Sequence, residues 1–252
     1  MTTRSGDPGG GAGGRGQGRP GEVRRDQGAP SGAVGGVVPG DPDEGRPQPI
    51  GALAARVRAH LAHHEVHELP AEGSRPAAVV VVVTADPERG VPSFLLTRRA
   101  ARLRGHAGQW ALPGGRCDAG EPAAETARRE CAEELGLRLQ EAELLGRLDD
   151  YRTRSGYLIS PFVAVVDRPV RLVPAAAEVA AVHHVPLADL ERPDSPRFVR
   201  IPESDRPVVQ LPLLGTLLHA PTAAVLLQFR EVALHGRPTR VAHLEQPVFA
   251  WR

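Results

Sequence analysis

Three glutamates in a short run carry the first chemical signal in this sequence. Glu130, Glu133 and Glu134 stand in Arg129-Glu130-Cys131-Ala132-Glu133-Glu134, inside a stretch, Glu121 to Leu135, whose pattern predicts a helix. At about 100° per residue the three side chains project from one face, within about 100° of arc. Carboxylates so close repel one another. A hard divalent cation removes that repulsion, because Mg²⁺ or Mn²⁺ takes oxygen ligands and keeps waters for substrate phosphates. Taken alone, Glu-x-x-Glu-Glu also reads as a solvated acidic helix face. Arg129, four residues before Glu133, is spaced to orient that carboxylate through a charge-assisted hydrogen bond. Upstream, Pro113-Gly114-Gly115 offers a loop whose backbone can approach a metal or a phosphate closely.

Elements that position these residues are legible on both sides. Ile50, Leu53, Val57 and Leu61 recur at helical spacing. The end of that helix holds His63-His64-Glu65-Val66-His67, whose second histidine comes one residue too early for a His-Glu-x-x-His zinc motif, so no metal is assigned there. Ala77 to Thr84 is a β-branched run of strand length, and Asp86 to Gly90 supplies a turn before a second strand, Ser93 to Thr97. Pro122 is expected in the first helical turn, and Gly136 where the helix stops in the left-handed conformation. Further strands are expected at Leu144–Tyr151, Tyr157–Val166 and Ala180–Val185, a helical turn at Pro186–Leu190 and a last helix over Pro221–Leu234. Strands and helices without regular βαβ alternation imply an α+β domain with a mixed sheet.

Composition narrows the function classes. The net charge of +1 argues against a polybasic nucleic-acid or membrane surface, and every basic side chain other than histidine is arginine. Two cysteines, Cys117 and Cys131, are too few for a disulfide framework, which favours a reducing cytoplasm. No stretch approaches the roughly 20 apolar residues of a membrane span, and no signal-peptide core is visible. The first 50 residues hold 15 of the 28 glycines. Residues 1–47 are therefore expected to be a disordered Gly/Pro/Arg-rich tail, and 48–252 the folded domain.

The run from Gly115 to Leu137 resembles the Nudix box, G-x5-E-x7-R-E-U-x-E-E-x-G-U with U a bulky apolar residue. Gly115, Glu121, Arg129, Glu130, Glu133, Glu134, Gly136 and Leu137 fall at the required spacing, with Cys131 a soft departure at a U position. The resemblance implies the Nudix fold, a mixed sheet sandwiched between helices. It implies hydrolysis of a diphosphate linkage by water attack at phosphorus with Mg²⁺ or Mn²⁺. Glu130, Glu133 and Glu134 become the metal-ligand set, joined by the Gly115 carbonyl. Glu133, Arg129 and Glu130 carry catalysis, and Glu121 is structural, pairing with Arg129 or capping the turn. Glu178 is a candidate acid from outside the box.

The substrate is read from the segment before the box. Leu95 to Gly115 looks like L-L-T-x-R-[SA]-x3-R-x3-G-x3-F-P-G-G, the second signature of the coenzyme A diphosphatase branch, with Leu112 in place of the phenylalanine. Arg99 and Arg104 fall at fixed positions of that signature. Arginine binds phosphate through a planar fork, so both are expected to contact substrate; His106 is a further loop candidate. The leading expectation is hydrolysis of coenzyme A or its thioesters to 3′,5′-ADP and a 4′-phosphopantetheine species. Leu112 keeps open an ADP-sugar, a dinucleotide or a nucleoside triphosphate as substrate. A non-catalytic Nudix-fold ligand sensor is a third reading, opposed by the complete glutamate set. The expected partner is a small nucleotide of the coenzyme A kind, with no nucleic acid and no membrane; a homodimer stays open.

Overall fold

The computed structural model describes residues 49–101 and 108–251, all within the unit Gly45–Arg252; the other unit, Met1–Glu44, lies outside the described residues. The expected tail, Arg104 and His106 therefore fall outside them as well. In chain order the elements are α1 (Ile50–Ala62), β1 (Arg75–Ala85), β2 (Pro92–Arg99), β3 (Trp110–Ala111), β4 (Gly114–Arg116) and α2 (Ala123–Leu135). Then come β5 (Leu144–Arg147), β6 (Tyr151–Arg152), β7 (Tyr157–Val166), β8 (Val179–Pro186), β9 (Arg197–Ile201), β10 (Ser204–Leu213), β11 (Thr216–His219) and α3 (Thr222–Gln228).

The valine run forms β1, the centre of a mixed sheet. It pairs parallel with β7 and antiparallel with β2 and β4, and the sheet path runs β3-β2-β1-β7-β5. Val81 and Val83 point to one face, where they pack with Leu53 and Val57 of α1 and Leu226 of α3. Ala78, Val80 and Val82 point to the other, against Ala127, Cys131 and Leu135 of α2. A strand covered on both faces has no reason to alternate apolar with polar residues, which is why this one reads as a continuous run. The result is the expected mixed sheet between helical layers. No helix among the described residues is long and apolar enough to cross a membrane.

Local differences from the sequence reading have physical causes. Helix α2 begins at Ala123, two residues later than expected, and Pro122 is its N-cap with ψ 140. Glu121, which precedes a proline and is thereby disfavoured in helical conformation, instead closes a turn by accepting the Asp118 amide at 3.0 Å. The strand expected over Leu144–Tyr151 breaks into β5 and β6 around two buried aspartates. Asp149 accepts from His64 Nε2 at 3.0 Å and from the His67 amide at 2.9 Å. Asp150 accepts from the Leu69 amide at 3.0 Å and from Ser160 Oγ at 2.7 Å. The His-rich end of α1 thus contributes to a polar junction. The last helix changes at Phe229 into a π-helical turn, Phe229–Leu234; its apolar spacing signals burial and does not fix the turn width.

A second sheet, β9-β10-β11, had no counterpart in the sequence reading. Pro207 and Pro212 lie within β10, and prolines argue against a central strand. Here the pairing with β9 is irregular between Ser204 and Val208, so Pro207 falls where the ladder is interrupted. Val208, Val209, Leu211 and Leu213 of the same strand are buried.

Candidate active site

Two consecutive glycines begin the site, and each is required for a different reason. Gly114 and Gly115 pair with Val79 and Ala78 of β1, and the Val80 amide donates to the Pro113 carbonyl at 2.9 Å. At Gly114, φ is 154°, and a Cβ would lie 2.6 Å from the Cα of Val79 and closer still to the Ala78 carbonyl. At Gly115 a Cβ would collide with the Glu130 carboxylate. Only glycine allows the loop to lie against the sheet while a carboxylate sits on its backbone.

Arg129 organises the helix side. Its Nε and Nη2 donate to the two oxygens of Glu121 at 2.8 and 2.9 Å, a bidentate pair. Nη1 donates to Glu130 at 2.9 Å and to Glu133 at 3.0 Å, and Nη2 also donates to the Arg116 carbonyl at 3.0 Å. One guanidinium therefore links three carboxylates to the strand beyond the glycines. Glu121 also accepts from Thr126 Oγ1 at 2.8 Å. The Arg129 pair, helped by the Asp118 amide and the Thr126 hydroxyl, holds the Glu121 carboxyl down at about 2. Glu121 raises the Arg129 pKa in return.

The remaining carboxylates differ in environment. Glu133 is the open one, with 58% of its side chain exposed. Glu134 is buried; Gly114 N donates to it at 3.2 Å, and Arg99 Nη1 lies 3.6 Å from its other oxygen. Burial pushes its pKa up to about 7, against the lowering effects of the Gly114 amide and of Arg99. Glu130 is also raised, chiefly by burial, with Arg129 opposing and Glu133 and Glu178 adding to the rise. Glu178 is an exposed residue whose charge raises both Glu130 and Glu134. In this arrangement no three His, Cys, Asp or Glu side chains among the described residues are grouped to hold a metal ion. Arg129 sits between Glu130 and Glu133, while Glu134 turns to Gly114 and Arg99.

A cleft of about 500 Å³ adjoins the glycine loop and is lined by Gly114, Gly115, Arg99, Arg116, Trp110 and Tyr157, among others. Arg99 Nε is buried without a hydrogen-bond partner. Arg116 lies over the Tyr157 ring at 5.3 Å and Arg75 at 4.0 Å. Leu112 is 4% exposed, packs in the core and does not line the cleft. The sequence reading missed that part of the cleft wall comes from the C-terminal region, including Leu217, Pro221 and Phe249. Those residues belong to no motif, and only the fold brings them near Gly115.

The NUDIX domain model matches residues 74–203, more than half of the chain. The chain is 39% identical over 119 residues to "Uncharacterized Nudix hydrolase NudL" of Photorhabdus laumondii, covering 47% of this chain and 62% of that protein. The protein of the same name from Pectobacterium atrosepticum is also 39% identical, covering 47% of this chain and 60% of its own length. The chain thus spans less than two thirds of these curated relatives. Among solved structures, a Nudix hydrolase from M. smegmatis, RenU, is 22% identical with a TM-score of 0.42, covering 64% of this chain and 87% of that one. A NUDIX hydrolase from Nitrosomonas europaea is 18% identical with a TM-score of 0.44, covering 70% and 77%. On the domain match over more than half its length, the chain belongs to the NUDIX family.

Proposed function

We propose that the chain is a metal-dependent hydrolase of a diphosphate linkage, acting on coenzyme A or its thioesters to give 3′,5′-ADP and a 4′-phosphopantetheine species. The observation that carries this reading is the convergence on the Gly114-Gly115 loop. Glu130 rests on Gly115, Glu134 accepts from Gly114, and Arg99 joins Glu134 to the cleft.

The donor set fits a hard divalent cation. All its side-chain donors are carboxylate oxygens, and burial with neighbouring negative charge raises Glu130 and Glu134, a cost that a cation removes. Glu130, Glu133, Glu134 and the Gly115 carbonyl would hold Mg²⁺ or Mn²⁺, which when bound supplies charge neutralisation at phosphoryl oxygens and a more acidic water. The chain's own groups do the rest. Arg129, anchored on Glu121, keeps the carboxylates of Glu130 and Glu133 in register. Glu133, the exposed carboxylate, takes the proton of the attacking water at a carboxylate oxygen. Arg99 meets substrate phosphate from the cleft, and Arg104 is proposed for the same work.

Leu112, the departure from the signature that keeps other nucleotide substrates open, packs in the core and does not line the cleft. A screen of the purified chain with Mg²⁺ and Mn²⁺ over coenzyme A, acyl-coenzyme A, ADP-ribose, NADH and nucleoside triphosphates tests the proposal. Highest kcat/KM on a coenzyme A species, with 3′,5′-ADP as product, is expected. Preference for a substrate lacking the pantetheine arm overturns the coenzyme A assignment.

A further inference from the structure

The cleft beside the glycine loop has a wall that the matched NUDIX segment, residues 74–203, does not supply. Leu217, Leu218, Ala220 and Pro221 at the end of the second sheet, with Phe249 and Ala250 from the last turn, line it. Leu217 and Phe249 keep 36% and 63% of their surface exposed. The Phe249 ring stands edge-on to His219, with centroids 5.3 Å apart.

Thr222 Oγ1, Gln246 Oε1 and His219 Nε2 on this wall already have partners. Thr222 Oγ1 donates to the Trp110 carbonyl at 3.4 Å. Gln246 Oε1 accepts the Arg154 amide at 2.6 Å, and His219 Nε2 is 3.1 Å from Gln210 Nε2. A nucleobase edge needs donors and acceptors facing it; an apolar chain needs none and gains by covering exposed apolar surface. The same cleft carries Arg99 and Arg116 beside Gly114 and Gly115, a combination suited to a phosphorylated headgroup. Its lining is thus amphipathic, cationic at the glycine loop and apolar at the C-terminal wall.

We infer that Leu217 and Phe249 form a specificity wall for an apolar chain carried on the substrate's diphosphate, an alkyl-type arm rather than a base. This rests on the proposed diphosphatase reading only in using the glycine loop as the phosphate end. The wall selects for chain length and apolar character.

The test is calorimetric binding of n-octyl diphosphate and of methyl diphosphate to the full chain in Mg²⁺, with coenzyme A hydrolysis measured on the same preparation. The octyl compound is expected to bind at least about tenfold more tightly. In a Leu217→Asn, Phe249→Ala double variant that preference is expected to fall to near one. Both side chains are partly exposed, so an unchanged melting temperature is the control for folding. Equal affinity of the parent for the two probes, or a preference retained in the folded variant, overturns the inference. The parent comparison decides alone if the variant does not fold. Octyl preference without coenzyme A turnover sinks the coenzyme A reading and leaves the wall; turnover without octyl preference does the reverse.

Discussion

Replacing Glu134 by glutamine should make the metal-free protein more stable at neutral and alkaline pH. In the folded chain Glu134 holds its proton up to about pH 7, whereas its ordinary value is 4.5. Between those values the folded state binds more protons than the unfolded one, so stability falls as pH rises through the window and stays low above it. The size of the penalty follows from the shift at about 1.4 kcal/mol per unit, giving about 3 kcal/mol for this buried side chain. Glutamine keeps an oxygen for the Gly114 amide, and the favourable pull of Arg99 on the charged form is already contained in the shift. A gain of about 3 kcal/mol at pH 8 is expected. Guanidinium unfolding in EDTA at pH 5 and pH 8 reads it directly. The parent should lose stability across this range and the Gln variant should lose less. Mg²⁺ should then stabilise the parent more than the variant, since the burden of Glu134 is what a cation relieves. Equal pH dependence of parent and variant would rule out a buried, proton-holding Glu134.

Other substitutions follow from the same contacts. Gly114→Ala places a Cβ against the backbone of Ala78 and Val79 and should cost about 2–4 kcal/mol, lowering Tm by about 5–15 °C; an unchanged thermal melt would contradict the packing. Glu121, held down at about 2 by Arg129, contributes stability that is full above its ordinary value and is lost as pH falls through about 2. A Glu121→Gln variant should therefore show a shallower acid limb in unfolding monitored by circular dichroism. Gln228, wholly buried, accepts the Asp149 amide at 3.1 Å and donates to the Thr239 carbonyl at 2.8 Å. Gln228→Leu strands both groups and should cost about 2–4 kcal/mol in urea unfolding, with a loss below about 0.5 kcal/mol counting against this role.

Much of the scaffold was legible because single residues announce it. Ile50, Leu53, Val57 and Leu61 are all buried on α1, and the left-handed Gly136, with φ 67°, ends α2. The β-branched run at Ala77 could be placed in a covered strand from composition alone. Legibility failed where tertiary contacts outvoted local preference. Asp149 and Asp150 interrupt a strand because distant histidine, arginine and backbone groups donate to them. Pro207 sits inside β10 because the ladder is irregular there. In the site, spacing gave the shared helix face of the glutamates and the reach from Arg129 to Glu133. It gave no hint that the same guanidinium also contacts Glu130 and the Arg116 carbonyl, or that Glu134 turns inward to Gly114. The C-terminal cleft wall was invisible for the same reason, since nothing near Leu217 or Phe249 in sequence carries a phosphate-chemistry motif.

If the carboxylates on α2 work as a metal-dependent centre for diphosphate hydrolysis, turnover of coenzyme A at saturating Mg²⁺ by the parent and by Glu133→Gln reads it, since this change at an exposed side chain leaves the core untouched. In the variant kcat is expected to fall by about 100-fold or more while the circular dichroism spectrum and thermal melt stay those of the parent. Turnover within about tenfold of the parent in a correctly folded variant would contradict it.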